Sequence, residues 1–233
     1  MKKNTIITQL GRTASRWQNN FLRSLGLKSF HEPIGGWQEN CFDKDLSWSH
    51  YLNTRLSCRP SNWVHDPAST DKLSGCDLRD IIEEKEFIEV GYSSLPYITN
   101  VPCDWKLLGV VRHPKKWVYS ATNNRFFYDH MSWHPITFED YANIWVNHTK
   151  RMVKLCERIY RCEDFNTTGY AYFAQEFGIY NAEPLPENLS QKQNYKRSKE
   201  KIENDDLSWW PIVEEMANYF NYDPENKTEK ILL

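Results

Sequence analysis

The sequence predicts an α/β domain with a central, mainly parallel sheet, and three observations favour this fold class. Short apolar runs alternate with segments of helical periodicity along the chain. The run Trp105–Val111 is nearly continuous in apolar residues, as expected for a strand that is covered on both faces. The length of 233 residues suits one domain with its own core. We therefore expect residues 1–233 to form a single α/β domain.

The N-terminal part of the chain predicts a strand, a loop and a helix, in that order. The strand covers Thr5 to about Leu10, and the helix covers Ser15 to about Leu25 and ends before Gly26. A second short strand is predicted near Phe30. The polar stretch over about residues 35–75 has no clear periodicity, so we predict an insertion or a lid there.

The same alternation continues to the C-terminus. The longest predicted helix opens with Thr137–Asp140, which resembles a capping box with Asp in place of the usual Glu or Gln. The other predicted strands are Phe87–Gly91, Trp105–Val111 and Ile159–Cys162. One predicted helix begins at Pro114, and the longest runs from Thr137 toward Arg158. Two further helices are predicted near Gly169–Phe177 and Ser208–Phe220.

Composition excludes several classes of function. A net charge of -2, from 29 basic and 31 acidic residues, provides no overall positive field for general nucleic-acid binding. No apolar run approaches the roughly 18–20 residues that a membrane-spanning helix needs. The six cysteines are dispersed without a Cys-x-x-Cys pair, which indicates reduced thiols and no zinc site. The apolar stretch near the N-terminus is too short for a signal peptide, so a cytoplasmic location is expected.

The loop between the first strand and the first helix is a candidate anion site. Its sequence, Leu10-Gly-Arg-Thr-Ala-Ser-Arg-Trp17, contains small residues that let backbone N–H groups and a helix N-terminus surround an anion. It lacks the Gly-Lys-Ser/Thr of a Walker A loop, which disfavours a nucleotide triphosphatase. An ordinary strand–helix turn with Ser15 as N-cap is the alternative interpretation.

A second candidate anion site follows the central strand. Arg112 leaves the strand at its carboxyl end, and Ser120 lies about two turns into the next helix. Arg offers a planar fork for phosphate oxygens, and Ser offers a hydroxyl. Because the carboxyl ends of parallel strands meet at one edge of a sheet, both anion sites are expected to share one crevice.

Together the two segments resemble the sulfotransferase family, whose members take a sulfuryl group from 3′-phosphoadenosine-5′-phosphosulfate. The resemblance implies a three-layer, P-loop-like fold in which Arg112 and Ser120 match the family's 3′-phosphate site. Weaker similarity continues through Trp145 and Cys162–Phe165. Ala14 stands where the family commonly has glycine. The segment that matches the family's 5′-phosphosulfate loop comprises Gly11, Arg12, Thr13, Ala14, Ser15, Arg16 and Trp17.

The resemblance also implies roles for the loop residues in sulfuryl transfer. The reaction needs in-line placement and charge stabilisation, and no metal is expected because the moving group carries less negative charge than a phosphoryl group. Arg12 matches the family's catalytic Lys or Arg and is expected to stabilise the bridging oxygen of the leaving 5′-phosphate. Backbone N–H groups of Thr13–Trp17 and the Ser15 hydroxyl are expected to hold its other oxygens, and Arg16 adds charge.

The acceptor hydroxyl needs a general base. The family supplies either a His in a Thr-His-Leu-Pro-like segment or a Glu after the second strand. Here Ser94, in Ser93–Pro96, stands at the position of that His, so the histidine mechanism is not supported. Glu32 is therefore the predicted base, with His31 as the fallback. A structural role for Glu32, as an N-cap or in a salt bridge, is the alternative.

A basic stretch near the C-terminus, Asn194–Lys199, is expected to fold over the donor as the family's basic loop does, with Lys196 and Arg197 at the 3′-phosphate. A solvated surface run is the alternative. The leading hypothesis is a sulfotransferase with a hydroxyl acceptor, for which a carbohydrate is one candidate. Two alternatives stay open: a magnesium-dependent P-loop kinase-like phosphotransferase, and a non-catalytic nucleotide- or glycan-binding relative.

Overall fold

The fold is built on a parallel sheet whose central strand comes first in the chain. The computed structural model describes residues 4–11, 13–31, 88–91, 104–122, 137–184 and 207–225. Within these ranges all neighbouring strands are parallel, in the order β2-β3-β1-β4-β5. The strands are β1 (Thr5–Gln9), β2 (Ser29–His31), β3 (Ile88–Gly91), β4 (Lys106–Val111) and β5 (Arg158–Arg161).

The described helices pack on both faces of the sheet. They are α1 (Ser15–Ser24), α2 (Pro114–Thr122), α3 (Phe138–Leu155), α4 (Gly169–Gln175) and α5 (Trp210–Tyr219), with a short 3-10 helix at Cys162–Asn166 between β5 and α4. None of them is both long enough and apolar enough to cross a membrane.

Two buried clusters separate three layers. On one face, Ile7 and Leu108 of the sheet pack against Phe21 of α1 and Phe173 of α4. On the other face, the sheet packs against α2, α3 and α5, whose buried side chains include three tryptophans, Trp117, Trp145 and Trp210. The alternation of side chains along each strand sends neighbouring residues to opposite cores. The predicted three-layer α/β fold, with a parallel sheet between two layers of helices, is confirmed.

Helix α3 shows how local chemistry sets an element's bounds. Thr137 Oγ1 accepts a hydrogen bond from the Asp140 N–H at 3.1 Å, and the Asp140 carboxylate accepts one from the Thr137 N–H at 2.9 Å. The predicted capping box is thus confirmed. The predicted extension toward Arg158 is wrong, because Cys156 is already extended (φ -78°, ψ 140°) and β5 begins two residues later.

Most other element predictions are confirmed to within one or two residues. The predicted insertion at about residues 35–75 lies outside the described residues. The parallel arrangement brings the carboxyl ends of all five strands to one edge of the sheet. Gln9 of β1 is in register with Val110 of β4, so the segments that follow these strands leave the sheet side by side.

Candidate functional site

The loop between β1 and α1 ends in a left-handed residue. Ala14 has φ 61° and ψ 30° and is the N-cap of α1, which makes Ser15 the first helical residue. The interpretation of Ser15 as N-cap is therefore wrong. The first i→i-4 bond of the helix runs from the Gln18 N–H to the Ala14 carbonyl at 3.1 Å. The N–H groups of the first turn, Ser15 to Trp17, precede this bond and have no acceptor within the helix.

The loop carbonyls are held by side chains of the protein. The Leu10 carbonyl accepts a hydrogen bond from Thr13 Oγ1 at 2.6 Å, and the Gly11 carbonyl accepts one from Trp117 Nε1 at 2.7 Å. The Thr13 carbonyl accepts one from Gln18 Nε2 at 2.8 Å. The Thr13 hydroxyl is thus used inside the loop, which is compatible with the prediction that Thr13 offers only its backbone N–H to an anion.

This pattern of bonds orients the peptide N–H groups of the loop. In a trans peptide the C=O of one residue and the N–H of the next point in opposite directions. Because the carbonyls of Thr13 and Ala14 are both bonded to Gln18, the N–H groups of Ala14 and Ser15 point away from it. Gln18 is itself fixed by two reciprocal amide bonds to Gln9, at 2.9 and 3.0 Å. The loop is therefore preorganised to present N–H groups.

His31 ends β2 beside the start of α1. Its Nε2 atom lies 2.9 Å from Ser15 Oγ, so the two predicted site residues form a hydrogen-bonded pair. Burial, with a smaller contribution from the charge of Arg16, lowers the pKa of His31 to about 4. The imidazole is thus neutral at neutral pH. Because the charge of Arg16 acts on His31, which ends β2, Arg16 lies near the same carboxyl edge of the sheet.

The peptide group that follows Arg112 is held at both ends. Its carbonyl accepts a hydrogen bond from Trp145 Nε1 at 3.0 Å, and its N–H, which belongs to His113, donates to Glu163 Oε1 at 3.1 Å. Arg112 is half-buried, as is Ser120 in the second turn of α2. The direction in which the Arg112 side chain leaves the backbone is therefore set by two other elements.

Lys116 is a positive group at this edge that the sequence analysis missed. Burial raises the pKa of the Cys162 thiol to about 12, and the charges of Arg112 and Lys116 oppose that rise. Both cations therefore lie near the carboxyl end of β5. Lys116 precedes Ser120 by four residues on α2, which puts both on one face of the helix. This spacing is the signal from which Lys116 could have been identified.

The segment after α5 is bonded to the same edge. His113 accepts a hydrogen bond from the Lys115 N–H at Nδ1, so its Nε2–H donates to the Asp223 carbonyl at 2.8 Å. The Tyr222 hydroxyl donates to Glu163 Oε2 at 2.8 Å. Glu163 thus joins the segment after β4 to the segment after α5, which gives the acidic residue of the Cys162–Phe165 segment a structural role.

The structure brings some of the predicted residues together and leaves others untested. Ser15 and His31 are in contact, and the ring of Trp17 stacks on the rings of Phe21 and Phe165, with centroids 5.1 and 5.0 Å apart. The described ranges contain no group of three or more His, Cys, Asp or Glu side chains that could hold a metal ion. Arg12, Glu32, Lys196 and Arg197 lie outside the described residues.

Comparison with known proteins gives one structural similarity. A solved structure of a sulfotransferase from Alicyclobacillus acidocaldarius is similar to this chain, with 10% identical residues and a TM-score of 0.49 over 94% of this chain and 96% of that one. No family model and no curated protein sequence matches the chain.

Proposed function

We propose that this protein binds 3′-phosphoadenosine-5′-phosphosulfate and transfers its sulfuryl group to a hydroxyl acceptor. The observation that carries the proposal is the pairing of two anion-binding segments. The loop before α1 and the segment at Arg112 follow β1 and β4, which are neighbouring parallel strands in register. A donor with phosphate groups at two places matches two adjacent anion sites at one edge of a sheet.

The 5′-phosphosulfate binds at the start of α1 in this proposal. Its oxygens accept hydrogen bonds from the N–H groups of Ala14 and Ser15 and from the first turn of the helix, where the dipole also favours an anion. Gly11, beside this turn, has its carbonyl turned to Trp117 and presents no acceptor to the anion. The charge of Arg16 adds to the attraction.

The 3′-phosphate binds between Arg112 and α2. Arg112 donates a bidentate pair of hydrogen bonds, the Ser120 hydroxyl donates another, and Lys116 adds charge from the same helix face. The electrostatic effect of both cations on Cys162 supports their common location. Lys196 and Arg197 cover this phosphate from the C-terminal stretch, as the basic composition of that stretch suggests.

In the transfer step, the acceptor oxygen forms a bond to sulfur while the bond from sulfur to the bridging oxygen of the 5′-phosphate breaks. Arg12 stabilises the negative charge on that bridging oxygen. The acceptor's proton goes to a general base, for which Glu32 is the first candidate and His31 the second. A carbohydrate hydroxyl is the first acceptor class to screen, and no metal takes part in the proposed step.

Calorimetric titration with 3′-phosphoadenosine-5′-phosphate, the product nucleotide, tests the proposal. Without magnesium, the parent protein should bind this ligand more tightly than adenosine 5′-phosphate, because only the former engages both sites. Arg112→Ala should lower its affinity tenfold or more, about the effect of one charge-assisted contact. Arg158→Ala is the matched control, since Arg158 starts β5 at the opposite edge and its side chain is 63% exposed.

Two results would overturn the proposal. One is equal affinity for the two nucleotides, which would remove the 3′-phosphate site. The other is a preference for ATP that depends on magnesium, which would favour a kinase-like phosphotransferase. If the product nucleotide binds as expected, Glu32→Gln should leave its affinity unchanged and abolish sulfuryl transfer in an acceptor screen. Binding without transfer in the parent protein would support the non-catalytic alternative.

A further inference from the structure

Two buried tryptophans each bond one of the two anion-binding segments. Trp117 Nε1 donates to the Gly11 carbonyl in the loop after β1, and Trp145 Nε1 donates to the carbonyl of Arg112 after β4. Their side chains are 1% and 0% exposed. A buried indole N–H needs an acceptor, and here both acceptors are main-chain groups of the proposed donor site.

We infer that Trp117 and Trp145 are positioning residues, each of which fixes one of the two anion sites through a single carbonyl. This inference rests on the proposed function. Trp117 lies in α2, the helix that follows Arg112, yet it bonds the other segment, at Gly11. Trp145 lies in α3 and bonds Arg112 itself. The two indoles thus tie both segments to one helical layer.

The effect of Trp145 on Arg112 is directional. The carbonyl that it bonds belongs to the peptide whose N–H donates to Glu163, so this plane is held from two opposite sides. Because β4 holds the chain before Arg112 and these two bonds hold the peptide after it, the Cα–Cβ direction of Arg112 is fixed. Without the indole bond, the plane is held at one side only and the guanidinium samples a wider range of positions.

Both rings line one small gap, together with Thr13, Arg112 and Thr149. Within it, each indole N–H donates to the carbonyl of one segment. Each indole is also a specific choice, because phenylalanine would fill most of the same volume without a donor.

The two positions predict different changes in ligand binding. Trp145→Phe should weaken binding of 3′-phosphoadenosine-5′-phosphate by about three- to tenfold, the range for one lost hydrogen bond, and leave binding of adenosine 5′-phosphate unchanged. Trp117→Phe should lower the affinity for both nucleotides by the same factor, because both carry the 5′-phosphate. Trp209→Phe, a fully buried tryptophan beside α5, is the matched control for loss of ring volume and should change neither.

Calorimetric titration of the three variants with the two nucleotides, after circular dichroism has shown that each variant is folded, measures these changes. A purely structural role for Trp145 would lower thermal stability without changing the ratio of the two affinities. An unchanged ratio in Trp145→Phe therefore overturns the inference. Equal affinities in the parent protein contradict the proposed function instead.

A second measurement needs no ligand. Trp145→Phe should speed amide hydrogen exchange at His113 relative to the parent, since its peptide plane loses one of two restraints, whereas Trp209→Phe should leave that exchange rate unchanged. If the His113 exchange rate is the same in Trp145→Phe and in the parent protein, Trp145 does not position Arg112.

Discussion

Ala14 holds a left-handed conformation that glycine adopts without strain. Its φ of 61° costs an L-residue with a Cβ roughly 1–2 kcal/mol, although glycine loses part of this advantage through its more flexible unfolded state. We therefore expect Ala14→Gly to raise the free energy of unfolding by about 1 kcal/mol in urea denaturation. Asn221→Gly is the control: Asn221 has φ 54°, but asparagine tolerates this region, so little change is expected. Equal gains in both variants would contradict the explanation.

The polarity of the Ser15–His31 hydrogen bond decides what Ser15 can offer an anion. If His31 donates from Nε2, the Ser15 hydroxyl keeps its own proton for a phosphate oxygen. On this account His31→Gln, whose amide can also donate, should bind the product nucleotide nearly as well as the parent protein. His31→Leu should bind it about tenfold more weakly in calorimetry. If His31→Gln loses sulfuryl transfer while both variants bind normally, His31 is the base.

Local signals in the sequence identified the candidate anion-binding residues, but not the side chains that hold the main-chain groups of those segments. Ser15 stands in a loop of small residues, and Arg112 directly follows an apolar strand, so both could be predicted from their neighbours. Trp117 bonds a carbonyl 106 positions earlier in the chain. In the sequence its apolar spacing looks the same as that of any core residue, because periodicity reports burial and not the partner of an N–H.

At the scale of elements, α5 is joined to the sheet edge by its C-terminal turn. Tyr222 is 1% exposed and donates its hydroxyl proton to Glu163. Burial, with the nearby Glu163 carboxylate, raises its pKa well above the usual value, so the hydroxyl stays protonated as a donor. Tyr222→Phe should lower the free energy of unfolding by about 1–2 kcal/mol in urea denaturation.

Tyr219 provides the control for this change. It is the last residue of α5 and is 64% exposed, so Tyr219→Phe should have almost no effect on the free energy of unfolding. Equal losses from the two substitutions would mean that the bond to Glu163 contributes nothing to the stability of this junction.

The bounds of helices and strands could be predicted wherever the spacing of apolar residues ended at a recognisable capping or breaking residue. The apolar run ending at Val111 and the capping box at Thr137 each supplied such a signal. The C-terminal end of α3 did not, because Cys156 and Glu157 are compatible with a helix. The chain leaves the helix there because Glu157 bonds the Leu107 carbonyl and the next residue starts the pairing of β5 with β4. The 3-10 helix at Cys162–Asn166 could not be predicted either, because its position depends on contacts distant in sequence, such as the bond between Glu163 and Tyr222.

For the whole molecule, buried neutral histidines make stability dependent on pH. Burial lowers the pKa of His148 to about 3 and that of His31 to about 4, against 6.5 in the unfolded chain. Below pH 6.5 the unfolded state binds protons that the native state does not. The contribution of these histidines to the free energy of unfolding is therefore fully present above pH 6.5. It is lost as the pH falls toward 4, by up to about 1.4 kcal/mol per pH unit for each histidine.

Urea denaturation between pH 5 and 7 measures this slope. His148→Asn should reduce it by nearly one proton, whatever its effect on absolute stability. Asn147→Ala, at an exposed position next to it in α3, should leave the slope unchanged. A slope that is the same in His148→Asn and in the parent protein would show that His148 is not buried in its neutral form.

The position of β1 at the centre of the sheet has a consequence for synthesis on the ribosome. Thr5 is in register with Ile88 and with Lys106, so the central strand is translated long before either neighbour. At roughly 5–20 residues per second, about 4–17 s separate the appearance of β1 from that of β3, the first of its two neighbours to be made. For that interval Ile6 and Ile7 lack the strands that flank them in the native sheet, so we expect this stretch to attract ribosome-associated chaperones.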